Sequence, residues 1–95
     1  MSEKQLFEER LASKLKEWQA KIDEIKANAS KVASQHEIEF YRQVDLLDAK
    51  HELARKKLKE SKKASGAAWD ELKASIDGIW NEIENAIDSA IAKIS

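Results

Sequence analysis

The 95-residue chain contains no cysteine and no proline, and only two glycines, Gly66 and Gly78. Without cysteine there are no disulfides and no thiol chemistry, although this does not identify a compartment. Without proline and with so little glycine, few points can break a helix. Alternating apolar and polar residues are also missing, which leaves no strand candidate. No apolar run approaches the ~18 residues of a membrane span. The opening MSEKQLFEER is charged and lacks the apolar run of a secretory signal, so the expectation is a soluble, cytoplasmic protein. An excess of charge of one sign is missing as well: 17 basic and 18 acidic side chains leave a net charge of −1. Overall charge therefore favours neither a nucleic-acid nor a membrane-surface partner.

What remains is rich in Ala, Glu, Lys, Leu and Ile, a composition of long helices or coiled coil. The apolar residues form a ladder with three zones. Leu11, Leu15, Trp18, Ile22, Ile25, Ala29 and Val32 follow alternating steps of four and three, a heptad seam suited to a partner helix. The ladder continues through His36, Phe40, Val44, Leu47, His51, Ala54 and Leu58, with a stutter at 36–40–44. Leu46 and Leu53 widen this middle stripe, as if it touched more than one helix. The last zone, AWDELKASIDG IWNEIENAIDS, is an 11-residue phrase repeated, with Trp69 recurring as Trp80, Leu72 as Ile83 and Ile76 as Ile87. Its period of about 3.67 suits a nearly straight helix.

Two places can break the ladder, the stronger at Gly66 and the weaker at Ser34. In KKASGAAWDE, Gly66 suits a left-handed residue after the basic helix end at Lys62 and Lys63. Asp70 and Glu71 then suit the first turn of a new helix. In SQHE, Ser34 and Glu37 have capping-box spacing, although good helix formers surround them. Charge adds direction: residues 1–49 carry −2, residues 50–63 carry +5 and residues 66–95 carry −4. A reversal at Gly66 pairs residues whose numbers sum to about 132, bringing Lys62 to Asp70, Arg55 to Asp77 and Lys50 to Glu82.

The expected fold is therefore all-α, one domain over residues 1–95. It is a long antiparallel hairpin with a first helix over about 3–63, a turn over about 64–67 and a second helix over about 68–94. Leu47, Leu53, Leu58, Trp69, Leu72, Ile76, Trp80, Ile83 and Ile87 pack the hairpin. An arm carrying Leu11, Leu15, Trp18, Ile22, Ile25 and Val32 is left bare, so self-association as a homodimer or higher homo-oligomer is expected. The alternative is a monomeric three-helix bundle with the extra break near Ser34.

Chemistry has little foothold. His36 with Glu39, and Asp48 with His51, have the i,i+3 spacing of helical metal ligands. One unit is reversed, however, and polar seam residues that set register explain both histidines. A pH-responsive seam is the sharper alternative. No nucleophile elbow or phosphate loop is present, so no catalytic, cofactor or metal residue is assigned. ARKKLKESKK spreads its lysines around the helix rather than along one stripe, which argues against nucleic acid. Lipid binding by the 11-residue repeats at 68–94 is the runner-up function, with membrane not favoured because the polar face is mainly acidic.

Three passages, KLKEWQAKIDEIKANA, EFYRQVDLLDAKHELARKKLKE and above all ASGAAWDELKASIDGIW, resemble a group of small bacterial proteins described only as coiled-coil domain-containing and of unknown function. The resemblance covers most of the chain. It implies a bacterial, helical, non-enzymatic protein and no site residue. The function expected from residues and resemblance together is a structural or interaction module that self-associates or binds a protein partner through coiled-coil surfaces.

Overall fold

A serine at the second position starts the first helix. The Ser2 hydroxyl accepts a hydrogen bond from the Gln5 backbone N–H at 3.1 Å, and the Gln5 side chain accepts one from the Ser2 N–H at 3.4 Å. Such a reciprocal box satisfies two of the donors that every helix start leaves unpaired. From there the computed structural model, which describes residues 2–94, shows α1 (Glu3–Ala27), α2 (Glu37–Lys63) and α3 (Gly66–Ile94). No strand occurs among the described residues.

The first helix does not run to residue 63. It stops at Asn28, whose side-chain amide donates to the Glu24 carbonyl at 2.8 Å. Two single 3₁₀ turns follow, Ala29–Lys31 and Ser34–His36. Between them, Val32 and Ala33 have extended backbones and reverse the chain. The long-hairpin expectation is corrected here, and the three-helix alternative describes the chain. Asn28, Ser30 and Ser34 offer the backbone local hydrogen bonds that compete with the helix. The decisive term is burial, because a continuous helix would leave six apolar seam residues in water at about 1.5–3 kcal/mol each. The break near Ser34 does not use the expected capping box. His36 precedes α2 and no side chain caps that end.

At the second reversal, α2 ends at Ala64 and Gly66 has φ +58. The left-handed glycine is the first residue of α3, so Asp70 and Glu71 lie one turn further into the helix than expected. Lys62 and Lys63 do occupy the last turn of α2. The Lys4 ammonium donates to the Ala64 carbonyl at 2.6 Å, which ties the start of α1 to the end of α2.

The helices form an up-down-up rod of 49 × 19 × 16 Å, with α1 and α3 parallel and α2 running between them in the opposite direction. Its core is a single stack. α1 contributes Leu11, Leu15, Trp18, Ile22 and Ile25, and α2 contributes Phe40, Val44, Leu47, His51 and Ala54. α3 adds Ile76, Ile79, Ile83, Ile87 and Ala90, and Val32 anchors the linker into the same stack. The register between α2 and α3 has residue numbers summing to 132 at two places. Lys50 pairs with Glu82, and Lys93 meets Glu39 at 3.0 Å. The other two expected pairs do not form: Arg55 turns to Glu52 on its own helix at 3.2 Å, and no ion pair joins Lys62 to Asp70 among the described residues. Exposed pairs are worth so little that long side chains choose the nearest partner.

Candidate interaction surface

The first candidate surface was the arm seam, and it is consumed. Leu11, Leu15, Trp18, Ile22, Ile25 and Val32 are all buried within the chain itself. Trp18 meets Trp80 of α3 edge to face, with ring centroids 5.3 Å apart, and Phe7 meets Trp69 in the same way at 6.1 Å. The expectation that these residues present a face to a second copy is thus corrected: α2 and α3 supply the partner within one chain. Of the expected hairpin residues, Leu47, Ile76, Ile83 and Ile87 are buried, while Leu58, Trp69, Leu72 and Trp80 are half-buried. Leu53 is the exception, 42% exposed and pointing outward. It lies two residues past His51, and two residues turn a helix by about 200°.

The histidine–carboxylate units have other employment. His51 is buried, and its Nε2 lies 2.9 Å from the Leu15 carbonyl oxygen of α1. Because a carbonyl only accepts, Nε2 carries the proton and donates. This bond joins two helices at one height, which is the register role expected of a polar seam residue. His36 is exposed beside Gln35 at the start of α2. Asp48 binds Lys26 at 2.8 Å, and that hydrogen bond raises the Lys26 pKa above 10.5. Glu39 binds Lys93, which holds its carboxyl below 4.5. Among the described residues no group of three or more His, Cys, Asp or Glu side chains converges as metal ligands would.

Between α1 and α3 runs a shallow groove of about 650 Å³ lined by Glu3, Phe7, Arg10, Lys73 and Trp80. Its continuation, about 440 Å³, is bordered by Leu6, Ser13, Lys14 and Glu17. Two lysines strap its aromatic floor. Lys73 lies 5.8 Å from the Phe7 ring centre and 5.7 Å from that of Trp69, and its ammonium is held by Glu3 at 3.0 Å. Lys14 lies 6.0 Å from the Trp80 ring and bridges Glu17 and Glu84 at 3.6 Å each. Stems of this kind shield apolar surface while the charges stay in water. The lysine stems thus shield part of the groove's aromatic floor, while Leu6 at its edge stays 41% exposed.

The outer face of α2 carries four of the five exposed large apolar side chains among the described residues. Ile38 (72% exposed), Tyr41, Leu46 (53% exposed) and Leu53 face solvent along it. Arg42, Leu46, Ala49, Leu53, Lys56 and Glu60 follow steps of 4-3-4-3-4. The buried stripe, Phe40, Val44, Leu47, His51, Ala54 and Leu58, follows the same steps two residues earlier. α2 therefore carries two heptad stripes on opposite sides, one spent on the core and one open. In the sequence, Leu46 and Leu53 read only as a widening of the inner stripe. The +2 offset between the ladders was the signal that separates them. The buried Ser61, whose hydroxyl lies 2.6 Å from the Glu8 carboxylate, continues the inner ladder three residues past Leu58, but its place between Lys59, Glu60, Lys62 and Lys63 hides it in the sequence.

No helix among the described residues is long and apolar enough to cross a membrane. Compared with protein-family models, with curated proteins and with solved structures, the chain finds no match.

Proposed function

We propose that the chain is a non-enzymatic helical interaction module that docks a partner helix on the outer face of α2. The observation that carries this reading is the open heptad stripe through Leu46, Ala49 and Leu53, exposed together with nearby Ile38 beside a core that is complete without them. Isolated exposed leucines are ordinary, but Leu46 and Leu53 stand one heptad apart with Ala49 between them, a spacing that another helix can meet. The charged side chains fit the same reading. Glu39, Asp48, Glu82, Glu84 and Glu3 are engaged in ion pairs along the rod, spread out rather than gathered on one cleft. A soluble, cytoplasmic setting and kinship with small bacterial coiled-coil proteins belong to this proposal. Lipid binding through α3 would require the bundle to open, since Ile76, Ile83 and Ile87 are covered by the other helices.

The test is to replace the stripe with serine, as Ile38→Ser, Leu46→Ser and Leu53→Ser together, and melt the protein. If the stripe serves docking, folding stability changes by less than about 1 kcal/mol, as for surface positions in general. A loss above about 3 kcal/mol would show that these residues hold the fold, and the reading would go.

A further inference from the structure

We propose that the occupant of this face is a second copy of the same chain, with the two α2 helices packed antiparallel. The inference rests on the docking role just proposed and adds the identity and direction of the partner. It comes from the charge along α2. Residues 37–49 hold four acidic side chains and one basic, whereas residues 50–63 hold seven basic and two acidic. The chain satisfies part of this itself, through Glu39 to Lys93, Asp48 to Lys26 and Lys50 to Glu82. Among the described residues, Glu37, Arg42, Asp45, Lys56, Lys57, Lys59, Glu60, Lys62 and Lys63 make no ion pair. A helix that is acidic in its first half and basic in its second complements itself when reversed. Set parallel, it opposes like with like.

The open stripe supports the same direction. When the second copy is reversed so that facing seam residues have numbers summing to 102, Leu53 lies against Ala49 and Leu46 against the aliphatic stem of Lys56. Large side chains then meet small or slender ones, as interdigitated helices require. Arg42 comes to Glu60, and Asp45 flanks Lys59, each pair occurring twice by the two-fold symmetry of such a contact. The like pairs at the centre are already neutralised within each chain, Glu52 by Arg55 at 3.2 Å and Lys50 by Glu82. A parallel pairing would instead place Arg42, Lys56 and Glu60 each against its own copy. With two leucines and an alanine at the centre of each stripe, the contact is a weak one, strongest at low salt.

The experiment is sedimentation equilibrium of the full chain from about 10 µM to about 1 mM, at low and at high salt. The expected mass rises from 10.8 kDa toward twice that value, with the dissociation constant several-fold larger at high salt. The double variant Leu46→Glu, Leu53→Glu should remain at the monomer mass throughout, with its helical melt retained. Direction is read by disulfide trapping, since the chain has no cysteine of its own. Arg42→Cys mixed with Glu60→Cys should cross-link, and neither should cross-link alone. Self-cross-linking of each variant without the mixed product would overturn the antiparallel arrangement. A wild-type chain that stays monomeric at about 1 mM would overturn the second copy as occupant, while the serine test of the face would stand separately. A dimer that survives the double glutamate variant would place the self-contact elsewhere and overturn the second copy as occupant of this face.

Discussion

Trp18 is the residue on which the one-chain bundle can be tested most severely. It is 1% exposed, it packs edge to face on Trp80, and its indole N–H is buried without a hydrogen-bond partner. Trp18→Ala removes the largest side chain of the stack and leaves a cavity against Trp80, a loss of about 3–5 kcal/mol. For a chain of this length each kcal/mol lowers the melting temperature by roughly 4–8 °C, so the variant should melt at least ~12 °C lower. Trp18→Phe should behave differently. It gives up part of the ring, but it also removes an unsatisfied N–H whose burial costs about 1–3 kcal/mol, so the net change should stay within about 1 kcal/mol of zero. A double-mutant cycle with Trp80→Ala should show about 0.5–1.5 kcal/mol of coupling for the edge-to-face pair. Chemical denaturation followed by circular dichroism at 222 nm is the suitable assay, because removing a tryptophan changes the fluorescence for trivial reasons. Both stability losses should be the same at low and high protein concentration, since Trp18 and Trp80 belong to one chain. The reasoning fails if Trp18→Phe costs as much as Trp18→Ala. It also fails if the loss appears only at concentrations where copies associate.

The two glycines should respond in opposite directions to alanine. At Gly66, with φ +58 and open space around the missing Cβ, Gly66→Ala meets only the backbone penalty of about 1–2 kcal/mol and should lower the melting temperature. At Gly78, in mid-helix and equally unobstructed, Gly78→Ala should raise stability by about 0.4–1 kcal/mol. Charge exchange should separate true from absent pairs: Lys50→Glu with Glu82→Lys should show favourable coupling of up to about 1 kcal/mol, and Arg55→Glu with Asp77→Lys none. On the acid side, Glu39 is held below 4.5 by Lys93, so its contribution is present above that pH and is lost as pH falls through the lowered native value. A carboxyl titration by NMR should place Glu39 below 4.5, and Lys93→Met should move it back up; an unmoved midpoint would remove the pair as the cause.

Much of this arrangement is legible in the sequence, because heptad steps report which side of a helix is buried. They say nothing about whose helix does the burying. The seam from Leu11 to Val32 is a true contact surface, and only its partner was misjudged, as a second copy rather than α2 and α3. The error lay in the linker. Asn28, Ser30 and Ser34 are each mild helix breakers, and a ladder of Ala29, Val32 and His36 passes through them without a visible fault. Gly66 announced itself because a left-handed backbone has few other candidates. Among charges, Lys50 with Glu82 followed from simple arithmetic on residue numbers. Arg55 did not, since a glutamate three residues away competes on equal terms with a partner across the groove. For the interaction surface, Leu46 and Leu53 read as a widening of the inner stripe toward more than one helix, because a stripe two residues out of phase looks like a wider stripe unless the core is full without it.

The up-down-up path also has a mechanical consequence. The start of α1 lies beside the α2–α3 turn, tied there by Lys4 and Ala64, whereas the end of α3 lies beside the start of α2, tied by Lys93 to Glu39 and Gln43. Anything joined before Ser2 and anything joined after Ile94 would therefore leave from opposite tips of a 49 Å rod. Such a geometry would act as a strut: it would set a fixed separation between whatever was joined at the two ends, and pulling on those ends would load the helices lengthwise. Closing the chain into a ring, or opening it elsewhere, would need a connector able to span that whole length.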